Sequence, residues 1–309
     1  MVGCSIVVIT RNRPGIVDLN LDALAEQTLK PLEVILVDSS EPARQWKQQL
    51  ERVYPFPVRH FCYPRGLGQM PRARNFGIQQ SCGEVVVFLD DDCLASPGWL
   101  QSLASCYQRH PEALGVGGLI RDERWKFDPE RPIGAVDACG RVSANFFGDT
   151  GGACPVAILP GGNMSFRREG LLDVGGFDPG YVATNHREDP DLCLRLVRNG
   201  GRLYYEPAAE VLHLAARLRL KELKRFDEFY LRYSYARNEG YFTLKHFGHS
   251  PRAWKRICWD EMLAWAREGI SYRSAVVLLA GPLILGSKLV GIAQGLSYFL
   301  NGKKDSHFE

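Results

Sequence analysis

Short apolar runs alternate with segments of helical period through the first two-thirds of the chain. Ser5–Ile9 (SIVVI), Leu32–Val37 (LEVILV), Val58–Cys62, Val85–Leu89 (VVVFL) and Leu114–Leu119 read as strands, most of them continuous apolar runs of the kind buried on both faces. Behind Pro14, a residue suited to the first helical position, Val17, Leu21, Leu24 and Ala25 recur at helical spacing. Further helices are expected near Arg72–Gln80, over Gly98–Gln108 behind a Ser96–Pro97 cap, and from Asp189–Pro190 to a stop at Gly200–Gly201. Arg202–Glu206 reads as one more strand. Residues 121–160, rich in Gly, Pro and Asp, read as an irregular loop region on the substrate side. Strands alternating with helices predict an α/β fold, a mostly parallel sheet flanked by helices. Beyond Leu212 the pattern changes to long helices, with Phe226, Phe229, Tyr230 and Tyr233 on one face. Two units are therefore expected: 1–214, and a helical region 215–309 that is first basic and then apolar.

With 45% hydrophobic and 24% charged residues in 309, the chain buries a sizeable core, which excludes a disordered or fibrous protein. The formal charge of +3 conceals an asymmetry: residues 1–210 carry 22 Lys/Arg against 26 Asp/Glu, and residues 211–256 carry 11 against 4. Arg217, Arg219, Lys221, Lys224 and Arg225 cluster there, with Arg252, Lys255 and Arg256 further on. A solvated helix face explains such charge; an anionic membrane surface or a lipid-linked acceptor is the other expectation. No nucleic-acid motif accompanies it, so no nucleic acid is expected as a partner.

Nine cysteines without a CxxC pair do not make a disulfide scaffold and point to a reducing compartment. No signal peptide is read at Met1–Thr10. Ser274–Ser287 and Leu289–Gly302, each 14 residues and separated by Lys288, are too short for a membrane span and read as a buried or interfacial helix pair. The expected location is cytoplasmic, with a peripheral position at the inner face of the membrane if the basic segment meets lipid.

Asp90–Asp91–Asp92 follows VVVFL directly, where a parallel sheet presents the carboxyl ends of its strands to ligands. Three adjacent carboxylates repel one another, and a divalent cation such as Mg²⁺ or Mn²⁺ relieves that repulsion; a solvated acidic turn is the plainer reading. Glu188–Asp189–Pro190–Asp191 suits a helix start, with Asp189 as cap, and equally suits a general base near a substrate hydroxyl. His213 in VLHLA fits a core position or a metal ligand. Tyr233, Tyr235, Arg237 and Asn238 fit either a core or an acceptor cleft.

Taken in order, SIVVITRNRPGIVDLNLDALAEQTLKPLEVILVDSS, RGLGQMPRARNFGIQQSCGEVVVFLDDDC, GGNMSFRREGLLDVGGFD, REDPDLCLRLVRNGG and YYEPAAEVLH resemble the blocks of glycosyltransferase family 2, inverting nucleotide-sugar transferases of GT-A (Rossmann-like) fold. The resemblance covers roughly residues 4–214. It implies that Thr10, Asn12 and Asp38 hold the base and ribose of a nucleotide-sugar donor, and that Arg74 reaches the base or phosphates. It places Asp90 and Asp91 near the ribose and metal, makes Asp92 the principal metal ligand with His213 completing the site, and makes Asp189 the catalytic base, a role for which Asp191 competes. The implied reaction moves a sugar, by default from a UDP-sugar, to a hydroxyl of a glycan or lipid-linked acceptor with Mn²⁺ or Mg²⁺ on the diphosphate. The first loop departs from the family in reading ITRN, without the common proline and tyrosine. A sugar-phosphate nucleotidyltransferase and a catalytically silent glycan-binding module are the alternatives, whereas the absence of GxGxxG after the first strand excludes a dinucleotide dehydrogenase.

Overall fold

A computed structural model describes residues 2–40, 52–63, 69–214, 225–257 and 286–294, with backbone only for 225–232. Its elements run β1 (Cys4–Thr10), α1 (Pro14–Ala25), β2 (Glu33–Asp38), β3 (Val58–Cys62), α2 (Met70–Gln80), β4 (Val85–Asp90), β5 (Cys93–Ala95), α3 (Trp99–Arg109) and β6 (Ala113–Arg121). They continue with β7 (Ala135–Val136), β8 (Val142–Ser143), β9 (Cys154–Val156), β10 (Asn163–Arg167), α4 (Arg168–Asp173), α5 (Glu188–Arg198), β11 (Arg202–His213), α6 (Arg225–Phe247) and α7 (Pro251–Lys255).

Nine strands form one sheet in the order β3-β2-β1-β4-β10-β6-β11-β5, with β9 also on β11. The first four are mutually parallel, as the apolar runs predict. β10 then lies antiparallel between β4 and β6, so the sheet is mixed rather than purely parallel. Parallel register aligns Thr10 with Asp38, and Ile9 with Asp90, so the polar ends of β1, β2 and β4 meet along one edge. The expected loop region holds only the two-residue strands β7 and β8 and the three-residue β9.

Apolar clusters cover both faces. Ile6, Val8, Leu36 and Val87 pack with Leu21, Leu24, Trp99 and Leu103 on one side; Val7, Ile35, Val86 and Phe88 pack with Ile78, Phe177, Leu192 and Leu196 on the other. Gly77 of α2 lets that helix approach β1, for a β-carbon there would lie 2.4 Å from Val7 Cγ1. α3 starts at Trp99 behind Gly98 with no side-chain cap, because the Trp99 amide bonds to the Ser96 carbonyl rather than its hydroxyl.

At the opposite edge the buried Glu33 carboxylate accepts from Ser5 Oγ at 2.8 Å, the Cys82 amide at 2.9 Å and Arg59 Nη1 at 2.7 Å. Burial raises its pKa, but these donors outweigh burial and bring it from 4.5 to about 2. Its stabilisation is thus complete above the ordinary value and is lost as the pH falls through the lowered one. Thermal midpoints measured between about pH 5 and 2 are expected to fall less steeply for Glu33→Gln than for the native chain.

The described part of 215–309 packs on the α5 side of the sheet. Asp178 accepts from Tyr241 Oη at 2.8 Å, and Asn238 bonds the Val182 carbonyl at 2.9 Å. Arg237 is buried on the Gly180 carbonyl and Gln294, so it braces the loop before α5 instead of lining a cleft. Tyr235 is exposed, its ring 4.7 Å from that of His186. The basic cluster Arg217–Lys224, the side chains of Arg225, Phe226, Phe229 and Tyr230, and most of 274–302 lie outside the described residues. Among the described residues no helix is long and apolar enough to cross a membrane.

Candidate active site

The carboxyl edge of β1, β2 and β4 gathers the predicted donor residues. Thr10 Oγ1 donates to Asp91 Oδ2 at 2.8 Å. Asp38 is buried beside Thr10; its Oδ1 accepts from the Ser40 amide at 2.8 Å, while Oδ2 is buried without a hydrogen bond, 3.5 Å from His60 Nε2. Asn12 is exposed at φ 56° in the loop after β1, anchored by its own amide on Ser40 Oγ at 2.7 Å. A buried acceptor aimed at this edge and an exposed amide above it suit a ligand that brings its own donors.

Arg13, in the same loop, meets Asp91 at 3.0 Å and Asp92 at 3.2 Å. The acidic triplet is therefore partly neutralised by the chain's own cation, a partner that the sequence reading missed. Burial still pushes the Asp91 carboxyl up to about 6. For Asp92, burial is outweighed by His213 and Arg13, and its pKa is lowered. Asp92 Oδ1 lies 3.4 Å from His213 Nε2, and the other ring nitrogen, Nδ1, lies 2.7 Å from Asp122 Oδ2. His213 is the last residue of β11 rather than a residue beyond it, and the 2.8 Å bond from the Leu214 amide to the Asp92 carbonyl keeps the two elements together.

Asp92, Cys93 and His213 bring potential ligand atoms within 4.8 Å of one another. A carboxylate oxygen facing an imidazole nitrogen, with the far side of the ring held by a second carboxylate, is a donor set that fits a divalent cation. Asp122 had no signal in the sequence, since it lies 91 positions before its partner. Asp38, His60 and Cys62 form a second such group at the ends of β2 and β3.

Arg74 is buried in α2. Its guanidinium bonds Glu188 Oε1 at 2.8 Å, Asp90 Oδ1 at 3.2 Å and the Gly161 carbonyl at 3.1 Å, so it joins the end of β4, the turn before β10 and the start of α5. Asn75 clamps the amide and carbonyl of Phe177 at 2.7 and 2.8 Å. Burial pushes the Glu188 carboxyl up to about 8 against the pull of Arg74.

Asp189 projects beside that cluster. A β-carbon on Gly161 would stand 3.0 Å from Asp189 Oδ2, and one on Gly162 would stand 3.0 Å from Asp90 Oδ2, so the glycine pair leaves the room in which these carboxylates sit. Asp189 is not the helix cap: α5 begins one residue earlier, behind Arg187 at φ 77°, and Asp189 lies in the first turn. Ala183, Asn185 and Arg187 all have positive φ, which costs about 1–3 kcal/mol at each non-glycine position. Arg187 Nε is held by Glu239 at 2.6 Å. Burial raises the pKa of Asp189, opposed by Arg74, which makes it a stronger base.

Asp191 points the other way. It is fully buried, with Lys245 at 3.0 Å, Arg195 at 2.8 Å, His246 at 2.7 Å and Tyr181 Oη at 3.1 Å. These groups hold its pKa well below the usual carboxylate range despite burial. A carboxylate so enclosed accepts no substrate proton, and this argues for Asp189 in the choice left open by the sequence.

The family model described as Glycosyl transferase family 2 matches residues 5–175. The chain belongs to glycosyltransferase family 2. A glucosyl-dolichyl phosphate glucuronosyltransferase of Haloferax volcanii is 29% identical over 204 residues, 62% of each chain. A pre-mycofactocin glycosyltransferase of Mycobacterium tuberculosis is 30% identical over 191 residues, 60% of this chain and 38% of its own. The chain thus spans under two-thirds of the length of these curated relatives. GalNAc-T7 solved with UDP, GalNAc and Mn²⁺ superposes over 88% of this chain and 57% of its own, with a TM-score of 0.62 at 18% identity. Mannosyltransferase PcManGT from Pyrobaculum calidifontis, solved with GDP-Man and Mn²⁺, covers 95% and 75%, with a TM-score of 0.52 at 19% identity. These likenesses give the protein the GT-A fold expected of the family.

Proposed function

We propose that this family 2 protein is an inverting glycosyltransferase that moves a sugar from a nucleoside diphosphate to an acceptor hydroxyl, with Asp189 as general base. The observation that carries this reading is the placement of Asp189 across the glycine pair from Asp90, on the edge of the sheet that gathers Thr10, Asp38, Asp91, Asp92 and His213. The acceptor oxygen bonds to the anomeric carbon as the bond from that carbon to the diphosphate oxygen breaks. The acceptor proton passes to Asp189, and the electron pair leaves on the nucleoside diphosphate. No covalent glycosyl-enzyme is needed, because one displacement inverts the centre.

Asp38 and Asn12 orient the nucleoside, and Arg74 fixes Asp90 and Glu188 so that the base stays in line with the donor. Asp92 and His213 would hold a divalent cation, with Asp122 fixing the imidazole. When bound, Mn²⁺ or Mg²⁺ supplies positive charge for the departing diphosphate. UDP is the proposed nucleotide, and a glycan or lipid-linked hydroxyl the acceptor. Family membership favours this reading over a nucleotidyltransferase, and the raised basicity of Asp189 favours it over a silent binding module.

A screen of nucleotide sugars for donor hydrolysis, with and without Mn²⁺, tests the proposal. The native chain is expected to hydrolyse one donor in the presence of metal, and Asp92→Ala to lose metal-dependent donor binding by calorimetry. Metal-dependent donor binding undiminished in Asp92→Ala would overturn the assignment of that ligand.

A further inference from the structure

The ends of β2 and β3 bring together oxygen, nitrogen and sulfur at the rim of the sheet. In their parallel register Leu36 stands beside His60, and Asp38 beside Cys62. Residues two apart on a strand share a face, so Asp38, His60 and Cys62 project from the same side of the sheet. A carboxylate oxygen, an imidazole nitrogen and the Cys62 sulfur lie within 4.8 Å of one another. β3 is the outermost strand on this side, which leaves Cys62 exposed while Asp38 is only 1% exposed.

The Asp38 carboxylate is half satisfied. Oδ1 accepts from the Ser40 amide at 2.8 Å, whereas the buried Oδ2 accepts no hydrogen bond. That oxygen stands 3.5 Å from His60 Nε2. Such a separation is too long for a charge-assisted hydrogen bond; the contact between His213 Nδ1 and Asp122 Oδ2 measures 2.7 Å. It matches two ligands of one ion, because metal bonds of about 2.0–2.3 Å at tetrahedral angles set ligand atoms about 3.3–3.7 Å apart.

Sulfur decides which ion. Thiolate and imidazole together select Zn²⁺ over Mg²⁺ and Mn²⁺, which take oxygen ligands. The sulfur near Asp92 belongs to the buried Cys93, whereas that of Cys62 reaches solvent. Its proton therefore leaves to water as the metal–sulfur bond forms. Among the described residues the set numbers three, leaving a fourth tetrahedral position for a water molecule. We propose that Asp38, His60 and Cys62 bind Zn²⁺, and that zinc and the nucleoside exclude each other because both draw on Asp38. Zinc binding stands on these residues alone; the exclusion rests on the donor reading, which gives Asp38 to the nucleoside.

The test uses the full chain freed of metal. Zn²⁺ is titrated by calorimetry, and Co²⁺ by absorbance, since a thiolate on Co²⁺ gives an intense near-ultraviolet charge-transfer band. The native chain and Asp92→Ala are both expected to bind Zn²⁺ and to show the band. Cys62→Ser is expected to lack the band, and His60→Gln to bind Zn²⁺ at least tenfold more weakly, each with a native thermal midpoint. With Mn²⁺ present, Zn²⁺ is expected to weaken UDP binding at least tenfold in the native chain and less than twofold in Cys62→Ser. A band undiminished in Cys62→Ser, or no zinc binding by the native chain, would overturn the site. UDP binding unaffected by bound zinc would overturn the exclusion. UDP that fails to bind the zinc-free native chain counts against the donor reading and leaves the zinc result standing.

Discussion

Asp189→Asn is expected to reduce sugar transfer by about 10²–10⁴-fold while donor affinity stays within a small factor of native. Asparagine keeps the size and hydrogen-bonding reach of the side chain but accepts no proton from the attacking hydroxyl. The loss should fall on kcat, with donor affinity unchanged by calorimetry, because the groups proposed to face the nucleotide lie elsewhere: Thr10 on β1, Asp38 on β2 and Asp91 in the turn after β4. A pH profile gives an independent reading. Asp189 acts when ionised, and burial raises its pKa, so native kcat/KM should rise with pH through a value above that of an ordinary aspartate. That limb should disappear from the residual activity of the variant. A native transfer rate in Asp189→Asn would remove the residue from the mechanism.

Asp191→Ala is expected to behave differently, costing about 3–5 kcal/mol of stability as read by urea unfolding. Lys245, Arg195 and His246 surround this carboxylate in the interior, and its loss leaves their charge without compensation. The sign of the pH dependence follows from the lowered pKa: the contribution of Asp191 is complete above the ordinary carboxylate range and declines as the pH falls below it. Activity lost without any loss of stability would reverse the roles of Asp189 and Asp191.

The two aspartates show where sequence reasoning reaches and where it stops. That the Glu-Asp-Pro-Asp run holds the candidate base was read from its place among the family blocks. Which acid it is depends on helix phase: residues two apart point about 200° away from each other, so one faces the edge of the sheet and the other the interior. Placing the cap at Asp189 instead of Arg187, two residues late, concealed that phase. Of the four parallel strands, β1, β2 and β4 were legible as apolar runs, whereas β3 carries Arg59 and His60. β10 was not legible, because Asn163 and Ser165 interrupt its pattern. Both are fully buried, and their partners come from far along the chain: Trp99 Nε1 donates to Asn163 at 2.8 Å, and Tyr107 Oη lies 3.0 Å from Ser165 Oγ. Arg13 and Asp122 escaped for the same reason. Each meets its carboxylate or imidazole only after strands distant in sequence have been brought side by side.

The ion pairs under α5 also impose an order in time. Every residue assigned to the donor, the metal and the base precedes Leu214, and the sheet that carries them is complete at β11. The partners that seat the base-bearing helix, from Glu239 to Arg256, are made later. A chain emerging from the ribosome therefore has the whole of the proposed donor edge before the proposed base has the partners that seat its helix.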